Sequence, residues 1–371
     1  MIATLAAILV ATPQVVVDRI PGSSEIALVA TFNVPGYLES PETHGYRHLI
    51  EHLMAKGNSG VQDVAFERQG IFLGAATDRE SVTFRLLGKA GQEVAMVEAL
   101  RRLLAWSKPT DADIQAEVDI LEQELFLVDP KVPLITAGRG LAYGDRWLSP
   151  HGSLPALRGA TASAVYEFFQ RWFTATNLTL SAFGAVNQTD LTIELEKLYE
   201  SLPEGPSVPS RPQRTADSGR VEAKGVRGES ITAACGSVLD SLTWAQLAAM
   251  LTIASRVPDA FVSFAADPFE CWVTIGRVGA PSGIGLAADA FDDADAVDHF
   301  LAAKSWAKQW IQSQAADPLL AATLMGRLGA AVPPITVEMM LESAEAMTFN
   351  EYRLALSRLR GEASFRVVGG G

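Results

Sequence analysis

The sequence predicts an α+β protein of two similarly designed domains, on three observations. At 371 residues and 48% hydrophobic content, the chain exceeds what a single core usually organises. Strand-like and helix-like runs occur together in both halves. Between the halves, residues 203–218 are dominated by Pro, Ser, Gly and Arg, the composition of a connecting segment. The expected division is a first domain over 1–205, a linker over 206–218 and a second domain over 219–371.

Residues 1–12 (MIATLAAILVAT) are apolar and uncharged, too short to span a bilayer. They read either as the apolar core of a signal peptide, giving a periplasmic or otherwise extracytoplasmic protein, or as a first buried strand in a cytoplasmic one. Residues 14–33 hold two β-rich runs around Pro21-Gly22-Ser23-Ser24, a hairpin signal. A His-bearing helix comes next, followed by a polar loop at 56–60 and a short helix at 61–69. Strand candidates at 71–76 and 81–87 are joined by Thr77-Asp78-Arg79-Glu80. Helical periodicity then covers 91–105 and about 111–128. After a Pro- and Gly-rich loop come a helix at 162–173, a strand at 178–183 and a helix at 189–202. In the second half, helices are expected at 243–256, 296–314, 318–330 and 337–346, with strands at 272–278 and 364–368.

The formal net charge of −13 argues against nucleic acid or an anionic membrane as partner, since both require concentrated Lys and Arg. With Cys235 and Cys271 as the two cysteines, the chain has neither a disulfide framework nor a Cys-rich zinc ribbon, though one bond between them stays open. Any metal must then use His and carboxylate ligands.

The run Thr43-His44-Gly45-Tyr46-Arg47-His48-Leu49-Ile50-Glu51-His52 offers such ligands. Residues four apart on a helix stack one turn above each other, so His48 and His52 can present ring nitrogens to one ion. Glu51 sits beside them as a candidate base, in the order His-x-x-Glu-His, the inverse of His-Glu-x-x-His. Tyr46, Leu49, Ile50 and Leu53 form an apolar stripe that the two histidines flank. A second helix carries Ile114, Val118, Leu121 and Leu125 as its apolar face, with Glu117 and Glu124 two turns apart in the same stripe. Two carboxylates on a buried face call for a cation nearby, and either one can supply the ligand that two histidines lack. His44, His151 and His299 read as ordinary polar residues, and Trp147 and Trp172 as packing.

With these residues in place, the chain resembles the M16 zinc metallopeptidases, the pitrilysin, insulinase and mitochondrial processing peptidase group. The resemblance rests on His48-x-x-Glu51-His52, Lys56-Gly57, the segment from Gln69 to Glu80, and the Glu117 and Glu124 pair. It continues through Pro150-His151-Gly152, Gly159, Tyr166-Glu167-Phe168-Phe169, Asn177-Leu178 and Phe183-Gly184. It implies two related domains, each a mostly antiparallel sheet with helices packed on it, the second shortened. It also implies one Zn2+ per chain on His48, His52 and Glu124, Glu51 as general base, and Glu117 as a supporting acid counted with the catalytic residues. Peptide would bind extended along Gly74, Ala75 and Ala76. Gly74 replaces the Asn common in relatives. Where such enzymes place an Arg and a Tyr in the second domain, the region from Ser255 to Trp272 has no Tyr and its Arg256 reads as a helix-end residue, so the resemblance implies a homodimer, or a heterodimer with a second M16-like subunit. The alternative is a weakly active or non-catalytic subunit that docks a partner.

Overall fold

The computed structural model describes residues 14–127, 129–144, 148–224, 227–279, 296–329, 331, 334–360 and 364–370. Residues 1–12 and Trp147, considered above, lie outside them. The first half contains β1 (Val15–Arg19), β2 (Glu25–Phe32), α1 (Tyr46–Lys56), α2 (Gln62–Glu67), β3 (Phe72–Thr77), β4 (Val82–Lys89) and α3 (Glu93–Leu104). It continues with α4 (Asp111–Phe126), α5 (Lys131–Tyr143), α6 (Leu154–Arg158), α7 (Ala162–Trp172), β5 (Leu178–Gly184) and α8 (Gln188–Glu200). The second half contains β6 (Gly219–Lys224), β7 (Gly228–Ala234), α9 (Ser241–Ala254), β8 (Ala260–Ala265), β9 (Trp272–Val278) and α10 (Val297–Ala316). It ends with α11 (Pro318–Leu328), α12 (Val337–Ala346), α13 (Phe349–Arg360) and β10 (Phe365–Gly370).

The two five-stranded sheets have the same topology. The orders β1-β5-β2-β4-β3 and β6-β10-β7-β9-β8 correspond strand for strand, each with one parallel pair (β1 with β5, β10 with β6) and three antiparallel ones. The second half, although shorter in sequence, thus keeps all five strands. The hairpin expected around Pro21-Gly22-Ser23-Ser24 does not form, because β5 inserts between β1 and β2 and takes the hydrogen bonds of both. The hairpin of β3 and β4 forms as expected.

Each sheet is covered on both faces, and this explains the nearly unbroken apolar run of β2. Its Ile26, Leu28, Ala30 and Phe32 point into the core under α1, α3 and α8. Its Ala27 and Val29 point the other way, into the core of the second half, where α11 lies across β2 and β5. Reciprocally, α5 from the first half lies across β6, β10 and β7 of the second sheet. The halves thus exchange helices from equivalent chain positions. Both crossings use a glycine for close approach: a Cβ on Gly138 would lie 2.8 Å from Thr232 Cβ, and one on Gly326 would lie 2.5 Å from Thr31 Oγ1. Both also use a buried strand serine, Ser230 Oγ donating to Leu134 O at 2.7 Å and Ser181 Oγ to Ala322 O at 2.6 Å. The loop expected before residue 162 is in part this helix α5; Pro133, Gly138 and Gly140 read as loop in isolation, while the tertiary contact selects the helix.

The segment 203–218 has no regular element, yet it is anchored. Arg211 reaches Glu80 at 3.3 Å, Asp267 at 2.9 Å and Glu270 at 3.2 Å, joining carboxylates of both halves. Burial pushes the Glu80 carboxyl up to about 8 against the pull of Arg211. Tyr37 Oη donates to Pro209 O at 2.9 Å. Among the described residues, no helix is long and apolar enough to cross a membrane.

Candidate metal centre

Helix α1 presents the two histidines, and its start is fixed from outside. Gly45, with φ 108°, offers no side-chain cap. Instead Glu39 accepts from the main-chain N–H groups of Gly45 at 3.1 Å and Arg47 at 3.0 Å, satisfying donors of the first turn with a negative charge. Arg47 is fully buried, pairs with Glu39 at 3.4 Å, and donates to Val34 O at 3.0 Å and Asp78 O at 2.8 Å. Its fork ties α1 to the ends of β2 and β3. Leu49, Ile50 and Leu53 then bury one side of α1, leaving His48 and His52 at the core's margin.

His48 Nε2 and His52 Nε2 each lie 3.6 Å from Glu124 Oε2, with one ligand atom from each residue within 4.8 Å of the others. Ligands held tetrahedrally by one zinc at about 2.0–2.2 Å are roughly 3.2–3.6 Å apart, so the donor set fits such an ion in chemistry and spacing. Among the described residues this is the one group of three or more His, Cys, Asp or Glu placed to hold a metal. Glu124 comes from α4 with 47% of its side chain exposed, so it is not drawn into the core as its stripe implied; it closes the group on the open side. Glu117, by contrast, is buried. It accepts from His52 Nδ1 at 3.3 Å and pairs with Lys56 Nζ. That is the arrangement by which a carboxylate fixes the tautomer of a liganding imidazole.

Glu51 is 7% exposed, and its Oε2 accepts from Thr77 Oγ1 at 2.7 Å at the end of β3. Burial raises its carboxyl above the usual range, against the Thr77 hydrogen bond. Gly74, Ala75 and Ala76 lie on β3, which among the described residues is an edge strand of the first sheet. A cavity of about 640 Å³ starts one residue past Thr77, at the junction of the halves, and the metal-ligand group is not part of its lining. Of the histidines read as ordinary, His44 bonds Ser149 O and His299 meets Arg256. His151 departs from that reading, its ring lying 6.3 Å from that of His48. The signal for it was the triplet Pro150-His151-Gly152, visible in sequence but without a spatial neighbour there. The helix at the chain position of α1 in the second half, α9, is buried along nearly its whole length and carries no histidine.

Burial, reinforced by the adjacent His52, depresses His48 from an ordinary 6.5 to about 3. In the metal-free protein the unfolded chain takes up this proton below pH 6.5 while the folded site refuses it until about pH 3. The His48 contribution is therefore fully present above pH 6.5 and lost as pH falls toward 3. His52 has the opposite sign. Burial opposes its charge, but the Glu117 hydrogen bond and nearby carboxylates outweigh that and raise its pKa, so its contribution fades as pH rises above 6.5. Urea melts of metal-free wild type and His48→Gln should show a shallower acid-side fall in the variant. Equal slopes between pH 4 and 6.5 would contradict the assignment.

No protein-family model matches the chain. By sequence it is 26% identical over 183 residues to a ubiquinol-cytochrome-c reductase complex core protein I of Euglena gracilis, covering 46% of this chain and 37% of that protein. It is 25% identical over 176 residues to the mitochondrial-processing peptidase subunit beta of Neurospora crassa, covering 44% and 36%. The chain thus spans little more than a third of the length of the curated relatives it matches. By structure it is similar to a protease from Helicobacter pylori, with TM-score 0.79 and 14% identity over 96% of this chain and 97% of the other. It is also similar to a protein described as an M16-like peptidase from Alicyclobacillus acidocaldarius, with TM-score 0.73 and 10% identity over 96% of both chains. The chain therefore has the M16-like peptidase fold, and its sequence homologues are processing-peptidase beta subunits and a core protein I of the M16 family.

Proposed function

We propose that this chain is a zinc-dependent metalloendopeptidase acting on peptides or small unfolded proteins. The observation that carries the reading is the convergence of His48, His52 and Glu124 next to a buried carboxylate, Glu51, that is not a member of the ligand group. Zinc, when bound, supplies Lewis acidity and an acidified water. The chain's residues do the rest. Glu51, its pKa raised by burial, takes a proton from the attacking water and returns it to the leaving amine. Thr77 holds the Glu51 carboxylate in place, and Glu117 with Lys56 behind it orients His52. The outer edge of β3 around Gly74 to Ala76 supplies main-chain hydrogen bonds to an extended peptide, giving affinity with little sequence demand. A second copy, or a second M16-like subunit, closes the site.

The other reading is a docking subunit with little or no activity, favoured by the core protein among the relatives. Metal analysis and a peptide assay separate the two. The peptidase reading expects one zinc per chain and cleavage of fluorescein-labelled β-casein that stops with a chelator and returns with zinc. It also expects a zinc-dependent rise in melting temperature, of about 4 kcal/mol in stability at a thousandfold excess over Kd. Protein with neither zinc nor cleavage, alone or with a partner, would sink it.

A further inference from the structure

We infer that His151 is a third imidazole of this site, a hydrogen-bond donor that contacts the bound peptide on the open side of the metal ligands; this rests on the peptidase reading above. The loop that carries it is strapped to the start of α1. His44 Nε2 meets Ser149 O at 2.9 Å, and the Ser153 N–H donates to His44 O at 3.2 Å. Between them two glycines meet backbone to backbone, Gly45 at φ 108° and Gly152 at φ 83°, so close that a Cβ on Gly152 would lie 2.7 Å from Gly45 Cα. No other residue type fits both positions without strain. The strap sets the half-buried ring edge-on to His48, at 74° and 6.3 Å between centroids, where it feels the Glu124 charge. The main-chain carbonyl of His151 faces His48, whose Nδ1 is buried.

The ring itself is uncommitted. Three donors at the site are engaged inside it, Thr77 Oγ1 with Glu51, and Lys56 Nζ and His52 Nδ1 with Glu117, while Arg85 lies behind β3 with its guanidinium toward Ala75 O. Neither ring nitrogen of His151 has a hydrogen bond or ion pair among the described residues, and the residue is not within the group placed to hold a metal. A neutral imidazole always carries one N–H donor, so its role requires no change of charge. An extended peptide on the edge of β3 brings carbonyl oxygens past Glu124, the exposed member of the ligand group. His151, beside His48 and Glu124 on that side, is placed to donate to one of them.

The test compares wild type with His151→Ala and His151→Gln. Zinc content and the zinc-induced rise in melting temperature should not change in either variant. Cleavage of labelled β-casein should fall roughly 10-fold in kcat/KM for His151→Ala, the weight of one net hydrogen bond to the peptide, and recover in part for His151→Gln, which keeps an N–H. A second readout needs no turnover: in Glu51→Gln protein, adding a β-casein decapeptide should shift the 15N imidazole resonances of His151. Loss of zinc in His151→Ala would make the ring a ligand or a prop for one, and overturn the inference. Unchanged kcat/KM with unshifted resonances would overturn it as well. If wild type holds no zinc and cuts nothing, the peptidase reading fails; the imidazole signal then decides alone, a shift upholding the contact and its absence overturning it.

Discussion

Glu51→Gln is expected to lower kcat/KM on labelled β-casein by roughly 10²–10⁴-fold, the usual weight of a general base, while leaving one zinc per chain. The substitution is close in shape. Thr77 Oγ1 can still donate to the amide oxygen, and the ligand atoms of His48, His52 and Glu124 are untouched. What disappears is a group able to take a proton. Glu51 is buried, and that burial raises its pKa toward the range in which a carboxyl both accepts and releases a proton. Turnover near the wild-type level, or coincident loss of the metal, would remove Glu51 from the role of base. His52→Ala should behave differently, losing zinc and turnover together.

The second expected result concerns stability. A chain cut in the 206–218 segment should yield a first fragment that does not fold alone, whereas both fragments made together should recombine and bind zinc. Without α11, the first sheet exposes Ala27, Val29 and Phe183, which lie in the other half's core, and the buried Ser181 loses its acceptor on Ala322. The first fragment would also carry α5 with nothing to cover, since that helix packs on β6, β10 and β7. Gly326→Val should show the same dependence in the intact chain, destabilising by about 1–3 kcal/mol through overpacking against Thr31. Circular dichroism and size-exclusion chromatography check both. A first fragment that is monomeric, folded and cooperative would contradict the exchange of helices as a source of stability.

The fold class was legible in the sequence as two mixed halves, and the candidate ligand residues were legible through their local spacing. His48, Glu51 and His52 lie within five residues on one helix, so local periodicity alone brings them together. Glu117 and Glu124 stood out because an apolar stripe ran through them. The stripe alone left their division of labour open and the family resemblance supplied it, because it depends on the rotation of α4 against α1: Glu117 faces the back of His52 and Glu124 the open front. His151 was invisible as a partner because only the close contact of Gly45 and Gly152 carries it to His48. In the second half, β6 with Arg220, Glu222 and Lys224, and β7 with its small residues, gave no strong period-2 signal. The charged helix α13 was missed for a similar reason, its apolar face being diluted by three arginines.

The exchanged helices also bear on how such a chain could arise. Two units with the same strand order, each lending its partner the helix from the same chain position, are arranged as a helix-swapped homodimer whose two chains have been joined end to end. We put this forward as a hypothesis of descent. After such a fusion the two copies stop being bound by symmetry: one can keep its histidines on α1 while the other fills the matching position, α9, with core. A half-length polypeptide built from the first unit, redesigned so that its own α5 meets its twin's sheet through Gly138-like contacts, should then assemble as a two-site dimer. Failure of any such design to dimerise through the swapped helix would count against that ancestry.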